Sequence, residues 1–259
     1  MLPAHPSNFE DRISEVYYGG ISSERLTRRA RDRIHWMCKN VTGEKVLDVG
    51  CSQGIASILL GREGYDVVGI DTNSAAIEFA NADLAKEAEE VRARVTFLEA
   101  DLFSFDDAAN FDTVILGEVV EHMVDPQACI KSALIPLRTD GRIVATTPFG
   151  HAPHDDHKST MFLSWLLQLS DLSIRVDTCE IVDGYIKLII TKLPEDQPSS
   201  LPSLKTLLRT TESGTLNSQR RLHAMIDQRQ AEIERLQQLQ EAADAVRADE
   251  ASLLRLRNE

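Results

Sequence analysis

Acidic and imidazole side chains fall close together in the stretch EVVEHMVDP. The stretch follows an apolar run and carries Glu118, Glu121 and His122. If a helical turn begins there, these residues stand at positions i, i+3 and i+4 and share one face. Two carboxylates and an imidazole on one face could bind a divalent cation. Alternatively, His122 alone could act as a general base, because the pKa of a histidine side chain lies near neutrality.

A glycine-containing turn lies within the stretch VLDVGCSQG. A turn of this kind between a strand and a helix lets backbone amides approach a ligand, and the helix N-terminus favours negative charge. Gly50 and Gly54 flank Ser52, so the middle glycine of the dinucleotide fingerprint is missing. The next apolar run ends in Asp71, about 20 residues on, where a carboxylate can bind a ribose diol. The run FLEAD places Asp101 at the corresponding end of a third strand.

These residues need a sheet that brings several strand ends to one edge. Five runs have the composition of strands, namely KVLDVG, DVVGID, RVTFLEAD, FDTVILGE and GRIVATTP, and stretches with helical spacing separate most of them. This alternation predicts a parallel sheet with helices on both faces. The runs IRVDTCEIVDG and YIKLIITKL are joined too closely for a crossover helix and predict an antiparallel hairpin. The predicted fold class is α/β, a Rossmann-like doubly wound seven-stranded sheet with an antiparallel last strand, plus a long C-terminal helix.

Composition divides the chain into four segments. Residues 1–40 predict one or two helices before the core, in which the pair Tyr17 and Tyr18 fits a lid over a ligand and fits an ordinary surface turn equally. Residues 41–193 predict the sheet-containing core. Residues 194–216 are rich in Pro and Ser and predict a linker.

Residues 217–259 contain no glycine or proline and predict one long amphipathic helix. Apolar side chains recur there at intervals of three, four or seven residues: Leu222, Ile226, Ile233, Leu236, Ala243, Val246 and Leu253. Arg229 falls where the heptad needs an apolar residue. We predict a coiled coil that self-associates or tethers the chain to another domain, with a lone helix packed on the core as the alternative.

Charge and composition limit the classes of partner. A net charge of −13 disfavours a protein that must neutralise many phosphates, so we expect no nucleic-acid partner. The basic cluster RLTRRARDR, residues 25–33, predicts a solvated helix whose arginines spread over more than one face. No apolar run approaches the roughly 20 residues of a membrane span, and no secretory signal is visible, so we expect a cytoplasmic protein.

From Val46 to Leu193 the sequence resembles the class I S-adenosylmethionine-dependent methyltransferases. The DVGCSQG turn, the acids that end the second and third strands, and the final hairpin carry this resemblance. In that family the turn approaches the methionine moiety, the first acid holds the ribose hydroxyls and the second meets the adenine amino group. The resemblance therefore implies S-adenosyl-L-methionine as the cofactor. It implies binding roles for seven residues: Asp48, Gly50, Ser52, Gly54, Asp71, Asp101 and Leu102.

The loop after the fifth predicted strand, HAPHDDH, strengthens the case for a cation. It holds His151, His154 and His157, three of the seven histidines in the chain, and its strand neighbours the fourth in this fold. Many methyltransferases of this class carry a similar E-x-x-E-H stretch without a metal. With a later D-H-K and an aromatic and Trp, however, the pattern resembles the metal-dependent small-RNA 3′-terminal 2′-O-methyltransferases. That resemblance implies a Mg²⁺ or Mn²⁺ site at four residues: Glu118, Glu121, His122 and His157.

The predicted function is metal-assisted, S-adenosylmethionine-dependent O-methylation of a hydroxyl group, with His122, His154 and Glu118 as catalytic residues. Because no basic RNA-binding extension is present, we expect the acceptor to be a saccharide or glycan hydroxyl. One alternative is a metal-independent small-molecule O-methyltransferase with His122 or His154 as base, which EVVEHMVDP makes similar to the quinone-biosynthesis group. The others are RNA 3′-end ribose 2′-O-methylation and a non-enzymatic module that binds S-adenosylmethionine.

Overall fold

The computed structural model describes residues 12–106, 110–152 and 157–256, and from 241 onward it describes the backbone alone. His154, predicted as a catalytic residue, lies outside the described residues.

One mixed sheet of seven strands forms the centre of the fold. The strands are β1 Lys45–Val49, β2 Asp66–Asp71, β3 Val95–Glu99, β4 Phe111–Gly117, β5 Leu137–Pro148, β6 Ile174–Val182 and β7 Tyr185–Lys192. Their order across the sheet is β3-β2-β1-β4-β5-β7-β6. The first five strands are parallel, and β7 runs antiparallel to both β5 and β6. The predicted fold class is confirmed, including the hairpin at the end of the sheet.

Seven α-helices lie in the part of the chain that the structure describes. They are α1 Ile13–Tyr18, α2 Glu24–Lys39, α3 Ile55–Arg62, α4 Ser74–Leu84, α5 Glu89–Arg92, α6 Pro126–Leu134 and α7 Leu204–Leu256. Helix α6 starts as its sequence dictates, because the Asp125 side chain accepts a hydrogen bond from the Ala128 amide and proline occupies the first turn. The stretches Val120–His122 and Leu163–Leu169 form tighter 3₁₀ turns.

Both faces of the sheet are buried. In β4, Val114 and Leu116 belong to the hydrophobic cluster on one face, while Ile115 between them belongs to the cluster on the other. Successive side chains of a strand point to opposite faces, so a strand covered on both sides needs a continuous apolar run. The residues Val114, Ile115 and Leu116 within FDTVILG meet this requirement.

The C-terminal helix begins earlier than its composition suggests. Helix α7 starts at Leu204, inside the segment 194–216 that was expected to be a linker. Leu207 is 4% exposed and joins the core, which explains why the chain becomes helical there. Of the described residues, those up to Gly214 form one compact unit and those from Thr215 onward form a second.

The second unit presents apolar side chains to solvent. The exposed residues include Leu222, Ile226, Ile233 and Leu236. The coiled coil stays a prediction. Among the described residues, no helix has both the length and the apolar character that crossing a membrane requires.

Gly54, in the turn after β1, and Gly64, after α3, both have a left-handed backbone, but they differ in how closely the surrounding atoms pack. A Cβ at Gly54 (φ 77°) would lie 2.5 Å from Phe97 Cζ, whereas one at Gly64 (φ 93°) would meet nothing within 4 Å. We expect Gly64→Ala to lower the free energy of unfolding by about 1 kcal/mol through backbone strain. Gly54→Ala should lower it by roughly 2 kcal/mol more through overpacking. Urea unfolding measures both, and equal losses would contradict this packing.

Candidate active site

A cavity of about 350 Å³ opens beside the glycine-containing turn that follows β1. The strand order reverses between β1 and β4, and ligands of open α/β sheets bind at such a point, beyond the carboxyl ends of the strands. Seven residues predicted from the sequence line the cavity: Asp48, Gly50, Ser52, Glu118, Glu121, His122 and His157. Four other predicted residues are not part of its lining: Gly54, Asp71, Asp101 and Leu102.

The turn after β1 is held by the acid that ends β2. The Ser52 amide donates a hydrogen bond to Asp71 Oδ2 (2.9 Å), and the Asn73 amide donates one to Asp71 Oδ1 (2.8 Å). Ser52 has a left-handed backbone (φ 48°), a strained conformation for a residue with a side chain. Its Oγ is buried with no hydrogen-bond partner. The geometry thus places Asp71 directly against the turn.

The acid that ends β3 has a local structural partner. Asp101 is exposed, and its Oδ1 accepts a hydrogen bond from the Phe103 amide (3.1 Å) at the start of a 3₁₀ turn. The neighbouring Leu102 is buried, at 6% exposure. Asp101 therefore stands at the predicted edge of the sheet, outside the main cavity.

Asp48 is a buried acid in the cavity wall. It is 4% exposed, and Ser57 Oγ donates a hydrogen bond to its Oδ2 (2.6 Å). Burial raises the pKa of Asp48 to about 6, and the Ser57 hydrogen bond opposes part of that rise.

Three potential metal ligands converge at the other side of the cavity. One ligand atom from each of Glu121, His122 and His157 lies within 4.8 Å of the others. Glu121 is 1% exposed; its Oε2 accepts a hydrogen bond from Thr147 Oγ1 (2.9 Å), and its buried Oε1 has no hydrogen-bond partner. Burial raises the pKa of Glu121. An uncompensated buried carboxylate oxygen beside two imidazoles suits a divalent cation.

The orientation of His157 also suits a ligand role. Its Nδ1 lies 2.7 Å from the Ala152 carbonyl oxygen. Because a carbonyl oxygen only accepts, Nδ1 must carry the hydrogen, which leaves Nε2 as the ring nitrogen that could coordinate a metal. Metal-binding histidines are commonly oriented by such a bond. The His122 and His157 rings meet edge to face, with centroids 5.0 Å apart and planes at 82°.

Backbone hydrogen bonds join the two segments that supply this cluster. The Glu121 carbonyl accepts from the amides of Lys158 (2.9 Å) and Ser159 (3.0 Å). Ser159 Oγ donates to the Met123 carbonyl (2.7 Å). The loop after β5 is thereby fixed against the turn after β4.

Glu118, the fourth predicted ligand, is not part of the cluster. The expected helical face does not form, because Glu118 adopts a left-handed backbone (φ 61°) and the 3₁₀ turn starts two residues later, at Val120. Its Oε1 lies 3.9 Å from Arg33 Nη1. Burial raises the pKa of Glu118, and the nearby Glu121 adds to that effect.

Two contributors to the site, Ile13 with Ser14 and Arg33, were not singled out from the sequence as site residues. Helix α1 covers the turn, since the Ser14 amide donates to Gln53 Oε1 (2.9 Å) and Ile13 lines the cavity. Arg33 also lines it and is 8% exposed. The expectation of a solvated basic helix is therefore wrong at Arg33. The sequence signal that could have predicted its burial is its position beside Ile34, on the side of α2 that carries the buried apolar residues.

Comparison with known proteins identifies the family. Residues 40–183, more than half of the chain, match the family described as "Methyltransferase domain". The chain therefore belongs to this methyltransferase family. The class I methyltransferase resemblance is confirmed, and the further likeness to small-RNA 2′-O-methyltransferases stays a prediction.

The chain is also similar to curated O-methyltransferases over part of its length. The ubiquinone biosynthesis O-methyltransferase of Acinetobacter baylyi is 32% identical over 120 residues, which cover 44% of this chain and 49% of the relative. The chain spans about half the length of the curated relatives it matches.

Solved structures share the fold. Geranyl diphosphate C-methyltransferase from Streptomyces coelicolor has a TM-score of 0.57 at 13% identity, covering 73% of this chain and 84% of that one. The [4+2]-cyclase SpnF has a TM-score of 0.56 at 19% identity, covering 67% and 84%. Since a methyltransferase and a cyclase share this fold, the fold alone does not identify the reaction.

The buried acid Asp48 predicts a pH-dependent stability difference. In the folded protein its pKa is about 6, whereas an unfolded aspartate titrates near pH ~3.9. Between these values the folded state keeps a proton that the unfolded state has released, so the Asp48 contribution to stability falls as pH rises. Asp48→Asn removes this titration. Urea unfolding from pH 4 to 7 should show the variant gaining about 2 kcal/mol relative to the wild type, and a constant difference would contradict the assignment.

Proposed function

We propose that this protein is an S-adenosylmethionine-dependent O-methyltransferase whose cluster of Glu121, His122 and His157 holds a divalent cation beside the acceptor hydroxyl. Family membership supports methyl transfer, and the relatives named as O-methyltransferases support oxygen as the acceptor atom. The observation that carries the proposal is the convergence of three ligand atoms within 4.8 Å in the wall of the same cavity as the glycine turn.

The cavity has features that fit the methyl donor. Its volume of about 350 Å³ falls in the range of small-ligand sites. Ser52 Oγ and Gln53 Nε2 are buried without hydrogen-bond partners, and a bound ligand could supply them. We place the methionine moiety at the turn of Asp48 and Gly50, and the ribose diol at Asp71.

We assign the adenine to Asp101 and Leu102, which follow the end of β3. An exposed carboxylate suits the adenine amino group, and a buried leucine beside it suits the apolar ring. These assignments follow the family pattern.

Oxygen becomes a good nucleophile for a sulfonium methyl group once its proton is removed. A cation held by the cluster would lower the pKa of a bound hydroxyl. The chain's own residues prepare the site: Thr147 orients Glu121, and the Ala152 carbonyl orients His157. Several lining residues, including Asp48, Ser52 and Glu121, are buried, which strengthens electrostatic interactions at the site.

The acceptor we propose is a small molecule with two adjacent hydroxyl groups, because two oxygens can share one cation. A saccharide, the acceptor expected from the sequence, meets this description. A phenolic diol meets it too, and the relatives' named role in ubiquinone biosynthesis favours a quinone-related phenol over a sugar. The net charge of −13 argues against an RNA end.

Cation binding tests the proposal directly. Calorimetry with Mg²⁺ and Mn²⁺, on protein saturated with S-adenosylhomocysteine, should show binding that Glu121→Ala and His157→Ala abolish. His151→Ala is the matched control, since His151 is an exposed histidine near the same loop and outside the cluster. Methyl transfer to catechol or to a methyl glucoside should fall roughly 100-fold or more in the two cluster variants.

The opposing result is equally specific. Methyl transfer that survives EDTA and His157→Ala, yet is lost in His122→Ala, would contradict the cation and assign His122 as a metal-independent base.

A further inference from the structure

Two arginines of helix α2 lie over one aromatic ring at the edge of the sheet. Arg29 and Arg33 are four residues apart and so share a helix face. Their guanidinium carbons lie 4.4 Å and 5.6 Å from the centroid of the Tyr185 ring. Tyr185 begins β7 and pairs with Pro148, the last residue of β5. The pair therefore stands at the sheet edge that also carries the Glu121 cluster.

These guanidinium groups have unused hydrogen-bonding capacity. Arg33 is 8% exposed and lines the cavity. The Nε atoms of Arg29 and Arg33 are both buried without a hydrogen-bond partner. Glu118 Oε1 lies 3.9 Å from Arg33 Nη1, which is an ion-pair distance but too long for a hydrogen bond. Leaving such donors unsatisfied is costly, so a ligand that accepts from them would be held strongly.

A third basic side chain lies near Tyr185, which is also within electrostatic range of the acids Glu118 and Glu121. Lys187 follows Tyr185 by two residues on the same face of β7, is 7% exposed, and has its Nζ 5.2 Å from the centroid of the Trp36 ring. Burial raises the pKa of the Tyr185 phenol, which therefore stays neutral and adds no negative charge. Three basic side chains thus lie on this part of α2 and β7, and one of them, Arg33, lines the cavity.

We propose that Arg29 and Arg33 form a subsite for a carboxylate carried by the methyl acceptor. A planar guanidinium donates paired hydrogen bonds that match a carboxylate, which makes arginine better suited to this task than lysine. The inference rests on the proposed function for the place of the acceptor, and it narrows the acceptor class from adjacent diols to diols that also bear a carboxylate.

Binding of two matched probes tests the subsite without requiring turnover. Calorimetry would compare 3,4-dihydroxybenzoate with catechol, on protein holding S-adenosylhomocysteine and Mg²⁺. The wild type should bind the carboxylated probe at least roughly 10-fold more tightly, as expected for a charge-assisted pair. Arg29→Gln should remove this preference. Arg28→Gln should keep it, because Arg28 is exposed and pairs with Glu24.

Arg29→Gln is the principal variant because Arg33→Gln also removes the partner of the buried Glu118 and could unfold the protein. In turnover, Arg29→Gln should raise KM for 3,4-dihydroxybenzoate about 10-fold with little change in kcat. Its kinetics with catechol should stay unchanged.

The results separate this inference from the proposed function. Tight, Arg29-dependent binding of 3,4-dihydroxybenzoate without methyl transfer to either probe would support the subsite and contradict the O-methyltransferase. Three results would overturn the subsite, even if catechol is methylated. The wild type could bind the two probes with equal affinity, or it could fail to bind 3,4-dihydroxybenzoate. Alternatively, Arg29→Gln could weaken the binding of both probes by the same factor.

Discussion

The backbone carbonyl of Glu121 accepts hydrogen bonds from two consecutive amides, Lys158 and Ser159, and the candidate site depends on this contact. The contact fixes the loop after β5 to the turn after β4, so that His157 meets Glu121 and His122 although 35 residues separate it from the latter in sequence. The parallel pairing of β4 and β5 brings both segments to one edge. The sheet thus brings the segments after β4 and β5 close together, and the two hydrogen bonds fix how these segments align.

Much of the architecture follows from local sequence patterns. Apolar runs long enough for a doubly covered strand, alternating with helical spacing, predicted the sheet, and the short Asp-Gly connection predicted the antiparallel β6–β7 pair. The turn with Gly50 and Gly54 and the acid Asp71 came from spacing alone, because a strand, a turn and the next strand fix those positions.

Other features depend on tertiary contacts and could not be predicted in the same way. Glu118 was expected on a helical face, but its backbone adopts a left-handed conformation directly after β4. Residue spacing does not predict such a conformation. Helix α7 starts at Leu204 because Leu207 enters the core, a contact between segments distant in sequence. Arg33 is buried because one side of α2 covers the cavity, whereas composition alone suggested solvent. In each case burial by a distant element outweighed local preference.

We propose that a cation binds at the Glu121 cluster beside the donor site, and locating the ion tests this most directly. Crystals grown with S-adenosylhomocysteine and Mn²⁺ would reveal the metal through its anomalous scattering. We expect one peak within bonding distance of Glu121, His122 and His157, in the same cavity as the cofactor. A cofactor-bound crystal with no peak there, or with manganese held elsewhere, would contradict it.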